Sequence, residues 1–261
     1  MKTHNHDTGL SEEVLFAWDK KDHKINLHEI ASSYDNLFDK AINGTIAKFY
    51  KEIYSSKEKM NSLNDALIHK NDENGAPCQE DLEIYDKMGE IHNNLNILEE
   101  QLLSVQEMRI IYTFKSIETI LKQMIKLSFP ELNTREFDKW DKIKSFLNSK
   151  SIKFSSISEY ENINKIRIVN NNIKHGLEIS PDTKSQQIIE FSELDYFDKN
   201  SLETFHTRMI NCPKTFLKDL ANKLEAFLYE FDDNRIEEIA KEYKNRMNNE
   251  ALQKFVTALS V

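Results

Sequence analysis

The chain reads as an all-α protein: a helical bundle carrying a long antiparallel coiled-coil hairpin. Three observations predict this class. Glycine and proline are scarce, 5 and 4 in 261 residues, and folds with many strands and hairpins need more of both. Hydrophobic residues make up 39% and charged residues 30%, the balance of amphipathic helices with wide solvated faces. Apolar residues recur at three- and four-residue spacing over long stretches, the period of a helix that buries one stripe. The length suffices for one large helical domain or two smaller ones.

Residues 1–33 are polar and mixed and are expected to form a flexible N-terminal segment. His4, His6 and Asp7 are of metal-ligating type, but a solvated terminus accounts for them. From 34 to 107 two heptad runs predict the hairpin. The first places Ile42, Ile46, Phe49, Ile53, Ser56, Met60, Leu63 and Leu67 alternately four and three apart. The second does the same with Ile84, Met88, Ile91, Leu95, Leu98, Leu102 and Val105. Between them, Asn-Asp-Glu-Asn-Gly-Ala-Pro-Cys ending at Cys78 is turn chemistry. The second helix is free to run on to Ser128, where Phe129-Pro130 ends it.

Residues 108–261 are expected to form a further helical bundle. A helix starts near Asn133, with Asn133 and Glu136 as a capping box and Phe137, Trp140, Phe146 and Leu147 on its apolar side. Another starts near Ser158, capped through Ser158 and Glu161. It turns Ile163, Ile166, Val169 and Ile173 inward and stops at Gly176, a residue suited to a left-handed C′ position. Residues 177–200 lack helical periodicity, and 187–197 is expected to be a short strand pair or a long loop, a lid or an interface element. Pro213 suits a first helical position, with Phe216, Leu220, Leu224, Phe227 and Phe231 as a core stripe behind it. A last helix covers roughly 234–259.

The formal net charge is -9, which opposes simple electrostatic coating of nucleic acid. The charge is uneven. Residues 108–176 hold 13 Lys and Arg against 7 Asp and Glu, a net +6 that leaves -15 for the rest. A polyanion meets a positive surface there and repulsion elsewhere. Cys78 and Cys212 are the only cysteines, so a disulfide framework and a Cys-based zinc site are not expected. No run of eighteen apolar residues and no apolar signal core occur, and a cytoplasmic protein without a membrane partner is the expectation.

Arg167 to Gly176, Arg-Ile-Val-Asn-Asn-Asn-Ile-Lys-His-Gly, lies inside the positive segment. On a helical period Arg167, Asn171 and His175 fall at i, i+4 and i+8 and share one stripe. A cation, an amide and an imidazole so aligned can grip a phosphate and move a proton. Three consecutive asparagines are poor helix formers, a local conflict of the kind retained where a site requires it. The bland alternative is that Lys174 and His175 satisfy carbonyls at a helix end.

Asn170 to Gly176 resembles the N box of the GHKL ATPases, in which an Asn holds the magnesium on ATP. The Gly-rich boxes that family needs downstream are absent, because Gly176 is the last glycine of the chain. The same stretch is similar to the HEPN superfamily, all-helical domains many of which are metal-independent RNases of phage defence, toxin–antitoxin pairs and CRISPR effectors. Their mark is an Arg, often an Asn, and a His on a late helix. Seven residues separate Arg167 from His175 here, one more than the family's usual spacing. The resemblance implies His175, Arg167, Asn171 and Lys174 as catalytic residues, RNA as substrate, no cofactor and no metal. It also implies a homodimer in which two motif helices meet, and an antitoxin or sensor protein as partner. The alternative is a non-catalytic helical module that binds a partner or regulates.

Overall fold

The computed structural model describes residues 12–34, 37–67, 78–176 and 178–260. Its spine is α3 (Gln79–Ser128), 50 residues long, or about 75 Å at 1.5 Å per residue. The first half of α3 pairs with α2 (Leu37–Asp65) along the heptad seam: Ile42, Ile46 and Ile53 bury against Leu95 and Leu102. Further along the α2–α3 pair, Met60 and Ile91 are only half-buried. The turn chemistry at 71–77 lies outside the described residues. The second half of α3 carries Ile110, Phe114, Ile117, Leu121, Met124 and Ile125 into the main core. The helix runs on past 107 to Ser128, as the sequence allowed. It ends where Phe129-Pro130 was expected to stop it, with the Phe129 N–H still donating to the Ile125 carbonyl at 2.8 Å.

The N-terminal expectation is corrected. From Glu12 to Ser32 the chain is a helix, α1, packed on α3 and α8. Leu27 and Ala31 enter the main core, and Lys24 and His28 both reach Glu225, His28 at 2.8 Å. The Lys24 and His28 hydrogen bonds hold the Glu225 carboxyl below its ordinary pKa. Residues 1–11, with His4, His6 and Asp7, lie outside the described residues.

Two helix starts differ from expectation. Asn133 nucleates a 3-10 turn, Thr134–Glu136, its side chain accepting from the Arg135 N–H at 3.2 Å. The true helix, α4 (Trp140–Ser149), follows later and buries Trp140, Ile143 and Leu147. Next, α5 (Tyr160–His175) starts after Glu159, which is left-handed at φ 64°; Ser158 does not cap it but donates its N–H to Asp219 at 2.7 Å. The α5 core face is as expected: Ile163, Ile166 and Val169 are buried and Ile173 is half-buried. Gly176 is extended rather than left-handed, φ -151° and ψ 146°.

No strand forms among the described residues. In place of the strand pair at 187–197 there is one antiparallel bridge, Glu178 to Tyr196, with the short helix α6 (Pro181–Ser185) in the chain between its two arms. Ile188, Phe191 and Phe197 plug the main core instead, so their spacing serves burial rather than pleat. Then α7 (Lys199–Met209) and α8 (Cys212–Tyr229) complete the bundle, with Pro213 in the first turn of α8 and Phe216, Leu220 and Leu224 fully buried. Phe231 leaves the stripe and is 56% exposed. The expected last helix is two, α9 (Asp233–Arg246) and α10 (Asn249–Leu259), because the Asn248 side chain accepts from the Ala251 N–H at 2.8 Å and starts a new helix.

Candidate functional site

The site follows from how α5 is used. Its apolar face packs on α3 and α8, so the opposite face is left to solvent. On that face Arg167, Asn171 and His175 line one open cleft of about 500 Å³. The far wall comes from 178–186, which the Glu178–Tyr196 bridge and α6 fold back against the end of α5. Arg167 Nε donates to Asn164 Oδ1 at 3.1 Å, which steadies the guanidinium while its other nitrogens stay unengaged among the described residues. Asn171 Oδ1 accepts from Asn170 Nδ2 at 3.0 Å, leaving the Asn171 N–H groups as donors. His175 is exposed at the last turn of α5.

Lys174 is also exposed, but it does not line the cleft. Asn172 has a different duty from Asn171. Its Oδ1 accepts from the Ser180 N–H at 2.7 Å and the Thr183 hydroxyl at 2.8 Å, and its Nδ2 donates to the Glu178 carbonyl at 2.8 Å. The side chain is a clamp that builds the far wall. Ser180 and Thr183, which sequence reasoning missed, are its counterparts; Ser180 also caps α6 through the Thr183 N–H. A Ser-Pro pair opening a short helix was the one available signal. Two carboxylates, Glu178 and Asp182, reach the cleft from that wall. They oppose the charge of Arg167 and add groups able to carry a proton.

A second polar group is buried where α2, α3 and α7 meet. Gln106 and Arg109 of α3 and His206 of α7 are almost fully covered. Burial, and then the Arg109 charge, push the His206 imidazole down to about 3, so it is neutral. Beside it, the Tyr50 hydroxyl donates to Glu203, and burial together with that carboxylate lifts the phenol to about 12. These groups tie α2, α3 and α7 together.

Among the described residues no cluster of three or more His, Cys, Asp or Glu side chains is placed to hold a metal. None of their helices is long and apolar enough to cross a membrane. In comparison with known proteins, the chain matches no family model, no curated protein and no solved structure.

Proposed function

We propose that the chain is a HEPN-like, metal-independent endoribonuclease, a cytoplasmic effector of a bacterial defence or toxin–antitoxin system that works as a homodimer. One observation carries this reading: Arg167, Asn171 and His175 line a single solvent-open cleft in the positive part of an acidic chain. Each cleft offers one base, one cation and one amide donor for RNA transesterification. His175 takes the proton of a ribose 2′-hydroxyl as its oxygen attacks the adjacent phosphorus. Arg167 stabilises the extra negative charge on the pentacoordinate phosphorus, and the Asn171 amide donates to a phosphate oxygen. The bond to the 5′-oxygen breaks, that oxygen takes a proton from the imidazolium of His175 in the second copy, and the product carries a 2′,3′-cyclic phosphate. Lys174, outside the cleft, holds a neighbouring phosphate of the chain.

The test is cleavage of a mixed RNA pool by the purified full chain in excess EDTA. Wild type yields cyclic-phosphate ends, His175→Ala abolishes them, and Arg167→Ala slows cleavage about 10²- to 10⁴-fold. Intact RNA with wild type, or undiminished cleavage by His175→Ala, would refute the reading. A second reading, a non-catalytic partner-binding module, is favoured by α9 and α10. They expose Ile236, Tyr243, Val256 and Leu259 and bury little, the kind of surface that another protein covers.

A further inference from the structure

A second concave site shares no lining residue with the His175 cleft. There the 150–156 loop faces the last turn of α8 and the start of α9 across a cleft of about 330 Å³. Four cations line it, Lys150, Lys153, Lys223 and Arg235, against the carboxylates of Glu230 and Asp232. Asp232 is already engaged, capping α9 by accepting from the Arg235 backbone N–H at 2.8 Å. Lys150, Lys153 and Lys223 form no ion pair among the described residues, where the paired lysines are others.

Aromatic faces position two of the four. Lys150 Nζ stands 5.6 Å from the Phe129 ring centre and 5.9 Å from that of Phe146. The Arg235 guanidinium lies 4.6 Å from the Phe227 ring centre. An aromatic face orients a cation without neutralising it. Arg235 Nη1 is 3.4 Å from Glu238, a long contact at the outer edge. Its Nε is buried without a hydrogen-bond partner, and a buried donor left unmet is a cost that a bound acceptor removes.

Four like charges gathered at one cleft repel one another, and so do two held in place on aromatic rings. An anion relieves that repulsion. We infer that this cleft binds a phosphomonoester group, with Lys153, Lys223 and Arg235 contacting its oxygens and Lys150 adding field. A dianionic tetrahedral group suits several converging cations better than a carboxylate does. The cleft volume is at the small end of the range for ligand pockets, which suits a mononucleotide-sized group. Such a group has two sources, a free nucleotide or the 5′-phosphate end of an RNA chain.

Calorimetric titration of the full chain separates these. The probes are adenosine 5′-monophosphate, adenosine, and a 2′-O-methyl trinucleotide with and without a 5′-phosphate, which 2′-hydroxyl attack cannot cleave. Each phosphorylated probe is expected to bind and each unphosphorylated one to bind at least about tenfold more weakly. The Lys153→Gln/Lys223→Gln double variant and the Arg235→Gln variant lose about tenfold or more in affinity for the phosphorylated probes. Lys142→Gln, at an α4 lysine outside the cleft, keeps wild-type affinity, and circular dichroism checks that every variant is folded. A tighter trinucleotide assigns the RNA end; a tighter mononucleotide assigns the free ligand. Equal binding with and without phosphate, no binding of either phosphorylated probe, or an equal loss in Lys142→Gln overturns the inference. Cleavage by the His175 cleft is a separate readout, so failure here leaves that proposal standing.

Discussion

Asn170, Asn171 and Asn172 are one residue type with three environments. Asn170 is 1% exposed, with its Oδ1 buried and unpartnered. Asn171 faces the cleft. Asn172 spends its amide on three hydrogen bonds to 178–183. Replacing Asn172 by Ala strands a backbone N–H, a hydroxyl and a carbonyl at once, and is expected to cost about 2–4 kcal/mol in urea unfolding. Asn171→Ala should cost about 1 kcal/mol or less, because the loss of the acceptor for Asn170 Nδ2 is partly offset by the better helix propensity of Ala, and its main effect should appear in RNA cleavage. Equal destabilisation by the two would show that the division of roles is wrong. The sequence displays the helix-propensity conflict of the three asparagines. It does not show which one faces the cleft side and which the clamp, because that depends on the path of 178–183 and not on α5. His206 gives a second residue-scale test. Its folded pKa, about 3, lies below the ordinary 6.5, so the unfolded chain binds the extra proton. The stability this neutral imidazole permits is complete above about pH 6.5 and drains as pH falls towards 3. His206→Gln, which cannot titrate, should therefore lose stability less steeply than wild type over that window in pH-dependent denaturation. Parallel curves would contradict a buried neutral His206.

At the scale of elements, α1 is the largest departure from expectation, and its contribution is measurable. Leu27 is fully buried in the main core, and His23 Nε2 lies 3.1 Å from the Leu127 carbonyl of α3. Leu27→Ala is expected to cost about 2–5 kcal/mol, as for a core leucine, and deletion of 1–33 to lower the melting temperature markedly. A deletion without thermal effect would restore the view of a dispensable tail. The helix escaped sequence reading because a thin apolar stripe is supplemented by ion pairs to Glu225, about two hundred residues away in sequence. Such partners leave no local pattern. The same holds for the start of α5, where the Ser158 N–H is satisfied by Asp219 rather than by a cap of its own. Elements whose stabilisation is periodic were legible: the α2–α3 seam, the stop of α3 at Phe129 and the inward face of α5. The break between α9 and α10 was in principle readable, since Asn248 is a good N-cap residue, but an amphipathic run on both sides masked it.

For the whole molecule, the question is whether one chain suffices for the chemistry. Transfer of an RNA phosphate to its own 2′-oxygen needs one group to take a proton and another to give one. The cleft holds a single imidazole, His175, so a second copy bringing its own His175 would complete it, and the two positive motif helices would then share one RNA phosphate between them. In that arrangement a His175→Ala dimer lacks both imidazoles, and a heterodimer of one wild-type and one His175→Ala subunit, purified through distinct tags, keeps one. The heterodimer should cleave at least about a hundredfold more slowly than wild type, because one imidazole cannot both take and give the proton, and light scattering of wild type should give the mass of two chains. A heterodimer with half the wild-type activity or more, or a monomer that cleaves, would place the second proton carrier within the same chain. Asp182 and Glu178, on the far wall of the cleft, are the carboxylates positioned for that role, and Asp182→Asn would then lower cleavage in the monomer where it leaves a two-histidine dimer nearly unaffected.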